Sequence, residues 1–173
     1  MFKNLAIKWK IATLTALLLL GLAVVGAAGL LGIRQVGAAA EEIGSVRLPS
    51  VEGLLVLSEA QTAVKAATLS AAIYENNYTA QEPLRRVLLQ RQQAWKNALA
   101  GWNKYEPLPQ TAEEATLWKR FTGDWDAWKR ADQQLETTLT ALAANTDEQV
   151  QKDLFTRYFQ QYEASTALFS AAE

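Results

Sequence analysis

Neither cysteine nor histidine occurs among the 173 residues. The first absence excludes a disulfide scaffold, thiolate metal sites and thiol nucleophiles. The second removes imidazole zinc sites and Ser-His or Cys-His catalysis. An excess of charge of one sign is missing too. Lys and Arg number 17 against 18 Asp and Glu, a net charge of -1, so the chain lacks the basic footprint of a nucleic-acid binder. No run of alternating β-branched residues predicts a sheet. No phosphate loop, nucleophile elbow or metal-ligand spacing is present. The carboxylate pairs Glu41/Glu42, Glu113/Glu114 and Asp124/Asp126 are adjacent or two apart; such pairs do not face each other on a helix and read as solvated. An enzyme is not expected, nor any cofactor or metal. Glycine and proline are scarce, at nine and four, while Ala, Leu, Gln and Glu abound, so an all-α chain is predicted.

Ile11 to Ile33 reads IATLTALLLLGLAVVGAAGLLGI without a charge. As one helix it measures about 35 Å, enough to cross a hydrocarbon core of about 30 Å with some tilt. Lys3, Lys8 and Lys10 precede it, and only Arg34 and Arg47 lie close beyond it. That bias predicts a cytoplasmic tail over residues 1–10, a span over 11–33 and an exported part over 34–173. Trp9 falls at the interface. A cleaved signal is the competing reading, with Val25-Gly26-Ala27 and Ala27-Ala28-Gly29 as imitations of a cleavage site, but the apolar run is longer than such signals carry. Gly26-Ala27-Ala28-Gly29-Leu30 has the form of a small-residue packing motif within a span.

Four helical segments follow. The first runs from about Gln35 to Glu75, with Pro49 expected to kink or interrupt it. Asn76-Asn77-Tyr78-Thr79 is a turn signal. The second starts near Pro83 and ends near Tyr105, before Glu106-Pro107-Leu108-Pro109-Gln110. Thr111 and Glu114 form a capping box that opens the third, which runs to about Ala144. Asn145-Thr146-Asp147 caps the fourth, still running at Glu173. Long amphipathic segments on short loops pack antiparallel, which predicts a transmembrane helix followed by an up-down-up-down four-helix bundle standing upright on the membrane. The expected seams are Leu84, Leu88, Trp95, Ala98 and Trp102 in the second segment, and Trp118, Phe121, Trp125, Trp128, Leu135, Leu139 and Leu142 in the third. Val150, Leu154, Tyr158, Ser165 and Phe169 mark the fourth. The tryptophans read as packed core, with a ligand cage as the alternative.

The breaks in this pattern carry the functional candidates. In the first segment Leu57, Ala60, Val64, Ala67, Ala71 and Tyr74 form an apolar stripe. Beside it runs a polar stripe of Ser58, Gln61, Lys65 and Thr68, with Thr62 adjacent. Such a stripe suits a second subunit or a ligand, or else a solvated face. Arg91 and Asp132 interrupt the second and third seams. A guanidinium at a core position needs a partner, because a buried unpaired charge costs several kcal/mol or so. Either Asp132 pairs with Arg85, Arg86 or Arg91, or some of these arginines await an anion. Counting from the distal turns places Lys65, Arg85, Arg91, Arg157 and Tyr158 in one upper layer, to within about two turns or ~11 Å. Two or more cations with hydroxyl donors suit a carboxylate.

The whole pattern resembles the start of a methyl-accepting chemotaxis protein with a four-helix-bundle sensor. Arg47-Leu48-Pro49-Ser50 resembles the family's motif at the start of the first bundle helix. Lys104-Tyr105-Glu106-Pro107-Leu108-Pro109 is similar to the loop between the second and third helices of the aspartate and serine receptors. Tyr158-Phe159-Gln160-Gln161-Tyr162-Glu163-Ala164-Ser165 is similar to a stretch of their fourth helix. The resemblance implies a homodimeric inner-membrane receptor with a periplasmic pocket in the upper bundle. It also implies a piston-like slide of the fourth helix and output to a cytoplasmic kinase and adaptor. On that reading the sequence is an N-terminal part that lacks a second span and signalling rod. The amino-acid receptors of the family carry three first-helix arginines. Lys65 falls near the last, Gln61 near the middle one and an apolar residue near the first, while the fourth-helix threonine falls near Glu148. Relatives with this bundle sense di- and tricarboxylic acids, so the resemblance, with Arg85, Arg91 and Lys65, implies such an acid as ligand, with an amino acid as the alternative. The ligand-binding residues expected are Gln61, Lys65, Thr68, Arg85, Arg91, Arg157 and Tyr158. Attachment of the same bundle to a histidine kinase or cyclase is the competing output, and a ligand-free structural bundle the competing role.

Overall fold

The computed structural model describes residues 7–172, and the expectations that concern Lys3 and Glu173 lie outside the described residues. Every regular element among the described residues is helical. The chain divides into two units, the residues up to Leu48 and those from Pro49 onward, and each is described by itself.

The first unit is the helix α1, Ile7–Glu42, ending in a π-helical turn over Ile43–Arg47. None of its residues is buried within the unit. Leu14, Leu17, Leu18, Leu20 and Val25 are all more than half exposed, so among the described residues nothing covers the apolar surface of this helix. The two hydroxyls in the run turn inward on the backbone: Thr13 Oγ1 donates to the Trp9 carbonyl at 2.8 Å and Thr15 Oγ1 to that of Ile11 at 3.0 Å. A helix that satisfies its own polar groups is the form hydrocarbon tolerates. This is one helix long and apolar enough to cross a membrane.

The interruption expected at Pro49 takes the form of the π turn just before it. Proline lacks an N–H, and its ring crowds the carbonyl four residues back. A wider turn relieves that crowding. The Leu48 N–H donates to the Ile43 carbonyl, Ser45 Oγ donates to the Glu41 carbonyl at 2.6 Å, and Arg47 is paired with Glu42 at 3.0 Å.

The bundle is made of α2 (Leu48–Ser70), which tightens to a 3-10 turn over Ala71–Tyr74, α3 (Gln81–Tyr105), α4 (Ala112–Ala144) and α5 (Glu148–Ala172). Pro83 lies in the first turn of α3, where its missing N–H has no helical partner to lose. The Thr111–Glu114 capping box forms in both directions. At the distal end the two loops are tied together: Gln81 Nε2 donates to the carbonyls of Tyr78 and Asn145, at 2.8 and 2.6 Å, and Gln151 Nε2 also reaches the Asn145 carbonyl. At the other end Lys104 pairs with Glu52.

The buried stripe of α3 is Leu84, Val87, Arg91, Ala94, Ala98, Gly101 and Tyr105, rotated from the expected seam so that Leu88, Trp95 and Trp102 flank it half-buried. Small residues occupy the stripe where helices approach. A Cβ on Gly101 would lie 2.8 Å from the Gly53 carbonyl oxygen and 2.8 Å from the Leu57 nitrogen. This is backbone against backbone, which only glycine permits. On α5, Val150 is 40% exposed and Gln151 is buried in its place; Phe155 joins Leu154 and Tyr158 inside. Two apolar clusters result. One surrounds Leu84, Leu135, Leu139, Leu142, Phe155 and Tyr158. The other holds Leu57, Val64, Ala98, Trp125, Trp128 and Phe169, with Trp95, Trp102, Trp118 and Phe121 at its edge.

Candidate functional site

Between the two apolar clusters lies a buried polar layer. Arg91 from α3 and Asp132 from α4 occupy core positions, with 1% and 2% of their surface exposed. Arg91 Nη2 donates to Asp132 Oδ2 at 2.8 Å and to the Asp132 carbonyl at 3.3 Å. Trp95 Nε1 donates to the same Oδ2 at 2.7 Å. The other guanidinium nitrogen, Nη1, donates to Thr68 Oγ1 of α2, whose own proton goes to the Val64 carbonyl at 2.7 Å. Tyr158 of α5 closes the layer, its hydroxyl donating to the Thr68 carbonyl at 2.7 Å. All four bundle helices are thereby tied at one level.

Burial pushes the Asp132 carboxyl above the ordinary carboxylate range, against the opposing pull of the Arg91 charge and the Trp95 N–H. Burial likewise raises the Tyr158 phenol, with Tyr162 adding to it and Arg91 opposing. The pairing expected for Asp132 is thus with Arg91. Two Asp132 oxygens and the Thr68 hydroxyl engage both terminal nitrogens of the guanidinium, and among the described residues its Nε lacks a partner.

The other candidates sit differently. Arg85 is exposed and paired with Glu82 at 3.1 Å. Arg157 is exposed on α5. The polar stripe of α2 divides: Ser58 and Thr62 face outward, while Gln61 and Thr68 are buried, and Gln61 Nε2 has no partner. Lys65 stands between these states, half-buried, with its ammonium 4.3 Å from the centre of the Phe169 ring. Beside it is a hollow of about 10 Å³, lined by Lys65, Thr68, Asp132, Tyr162, Ser165 and Thr166 among others. Thr166 Oγ1 lacks a partner there. The structure therefore brings together Lys65, Thr68, Arg91 and Tyr158 and leaves Arg85 and Arg157 outside. Sequence reasoning missed Tyr162 and Thr166. Both lie on the Tyr158 face of α5, one turn and two turns beyond it, and Tyr162 falls within the stretch similar to the receptors' fourth helix.

A second concavity, of about 480 Å³, lies between α3 and α4, floored by Trp95, Trp102 and Trp125. Among the described residues no group of acidic side chains could hold a metal ion.

The model of the four-helix-bundle sensory module for signal transduction matches residues 4–168. The chain belongs to that family, the sensory modules of methyl-accepting chemotaxis proteins. Comparison with curated proteins and with solved structures returns no match. As a sensory module of this kind, the chain is a signal-transduction sensor, and its one long apolar helix is consistent with a membrane location.

Proposed function

We propose that this sensory module is the ligand-sensing part of a transmembrane chemoreceptor. In this reading α1 anchors it in the inner membrane and the bundle lies in the periplasm as a homodimer. The ligand is a small organic anion, a di- or tricarboxylic acid in preference to an amino acid. Lys65 is the observation that carries the reading. It is the one candidate cation that is half-buried, unpaired with any carboxylate among the described residues, and set beside a polar hollow. Arg91 serves as a structural tie that keeps Asp132 satisfied.

The hollow has room for no more than about one water molecule. An acid therefore enters only by drawing Lys65 off the Phe169 ring and parting α5 from α2. Few polar ties resist that movement, chiefly the Tyr158–Thr68 hydrogen bond. A ligand that binds the parted state alone shifts the population toward it, and a small displacement of α5 is the signal, passed on to a cytoplasmic kinase and adaptor.

The test is a melting screen of the full chain in lipid nanodiscs with succinate, citrate, aspartate and serine. Succinate or citrate is expected to raise the midpoint, and Lys65→Gln to remove the rise. An absence of any rise with all four would favour a ligand-free structural bundle instead.

A further inference from the structure

The groove between α3 and α4 has the makings of a second site. At about 480 Å³ it falls in the size range of small-molecule pockets. Its floor is aromatic. Trp95 stacks on Trp128 with centroids 5.0 Å apart, and Trp102 meets Trp125 at 5.8 Å. Two of the indole N–H groups are already engaged, Trp95 Nε1 by Asp132 at 2.7 Å and Trp102 Nε1 by Glu106 at 3.0 Å. Leu99, which is 60% exposed, adds apolar surface to the lining.

The rim supplies the polarity. Lys96 of α3 and Lys129 of α4 both border the groove, both are exposed, and among the described residues neither is paired with a carboxylate. The ring contacts of Trp95 with Trp125 and Trp128 set the antiparallel register, which puts Lys96 level with the stretch around Lys129. Asp126 and Glu136 lie on the α4 rim to either side of Lys129. The two ammonium groups offer charge-assisted contacts to a carboxylate placed between them.

We propose that this groove binds an aromatic monocarboxylate, its ring laid on the Trp95, Trp102 and Trp125 floor and its carboxylate held between Lys96 and Lys129. Face and edge contacts with indoles reward an aromatic body beyond its buried area, and charge-assisted hydrogen bonds fix the carboxylate. The site is built from α3 and α4 alone. Lys65 is not among its lining residues and it requires no movement of α5, so its test reads separately from that of the site proposed above.

The test is calorimetry of the full chain in phosphatidylcholine nanodiscs with 3-phenylpropionate, its uncharged counterpart 3-phenylpropanol, and succinate. Saturable binding of 3-phenylpropionate is expected, about tenfold or more tighter than that of the alcohol, as one charge-assisted contact implies. The double substitution Lys96→Gln and Lys129→Gln, at two exposed positions, is expected to abolish that preference and leave the alcohol unaffected. Lys65→Gln is expected to leave 3-phenylpropionate binding unchanged. The proposal is overturned by the absence of saturable heat with 3-phenylpropionate, by its undiminished affinity in the double variant, or by its loss in Lys65→Gln.

Discussion

At the scale of single residues, the polar layer decides which charges are structural. Arg91 and Asp132 satisfy each other in the core, and removing one partner of such a pair costs about 3–5 kcal/mol. Arg91→Met is therefore expected to destabilise the bundle by that order, and Arg91→Met with Asp132→Leu to recover most of the loss. Urea unfolding followed by tryptophan fluorescence measures both; equal destabilisation by the single and double variants would contradict a paired role. Tyr158 gives a pH signature. Its folded pKa is raised above the ordinary 10.0, so above pH 10 the unfolded chain loses a proton that the native state keeps. Stability from this group therefore falls as pH rises through that window. Tyr158→Phe is expected to flatten the alkaline decline in the melting midpoint, at a cost near neutrality of about 1 kcal/mol for the lost hydrogen bond. The sequence marked Arg91 and Asp132 as breaks in 3-4 apolar stripes, but it left Asp132 a choice among Arg85, Arg86 and Arg91; only the packing of α3 against α4 selects Arg91. The separation of Lys65 from Gln61 and Thr68 was not legible. These residues lie within about two turns on one side of α2, and a small rotation of the helix decides which of them faces the core.

At the scale of helices, glycines distinguish close approach from open surface. A Cβ on Gly101 would meet the backbone of α2 at 2.8 Å, whereas one on Gly123 of α4 would meet nothing within 4 Å. Gly101→Ala is expected to cost about 1–3 kcal/mol through forced separation of α2 and α3. Gly123→Ala is expected to add about 0.5–1 kcal/mol of helix stability. Paired denaturation curves check the opposite signs; a shared sign would remove the close crossing from the account. The helices, their loops and the capping box were readable from proline, turn and cap residues, whose chemistry is local. The α3 seam was misplaced by one row because Ala94 and Gly101 carry too little apolar surface to stand out beside Trp95 and Trp102. Close packing selects them for being small, a requirement set by the neighbouring helix.

At the scale of the whole molecule, α2 and the 3-10 turn that follows it present an outward face that none of the described residues covers. Val51, Leu55, Leu69 and Ile73 on it are each more than half exposed, with Thr62 between them. Exposed apolar rows of this kind mark association surfaces, which supports the proposed homodimer. The chain has no cysteine, so Thr62→Cys introduces a single thiol. Mild oxidation is expected to link this variant into dimers, while Gln134→Cys on the exposed face of α4 stays monomeric in the same gel. Equal linking of both would place the contact elsewhere.

The proposed mechanism needs an acid seated at Lys65 between α2 and α5. Calorimetric titration of the full chain in nanodiscs with succinate and with citrate tests this most directly, comparing the natural sequence with Lys65→Gln. The account predicts saturable heat from at least one of the two acids in the natural sequence, and none in Lys65→Gln at an unchanged melting midpoint. Binding of the same acid with the same affinity by Lys65→Gln would contradict it.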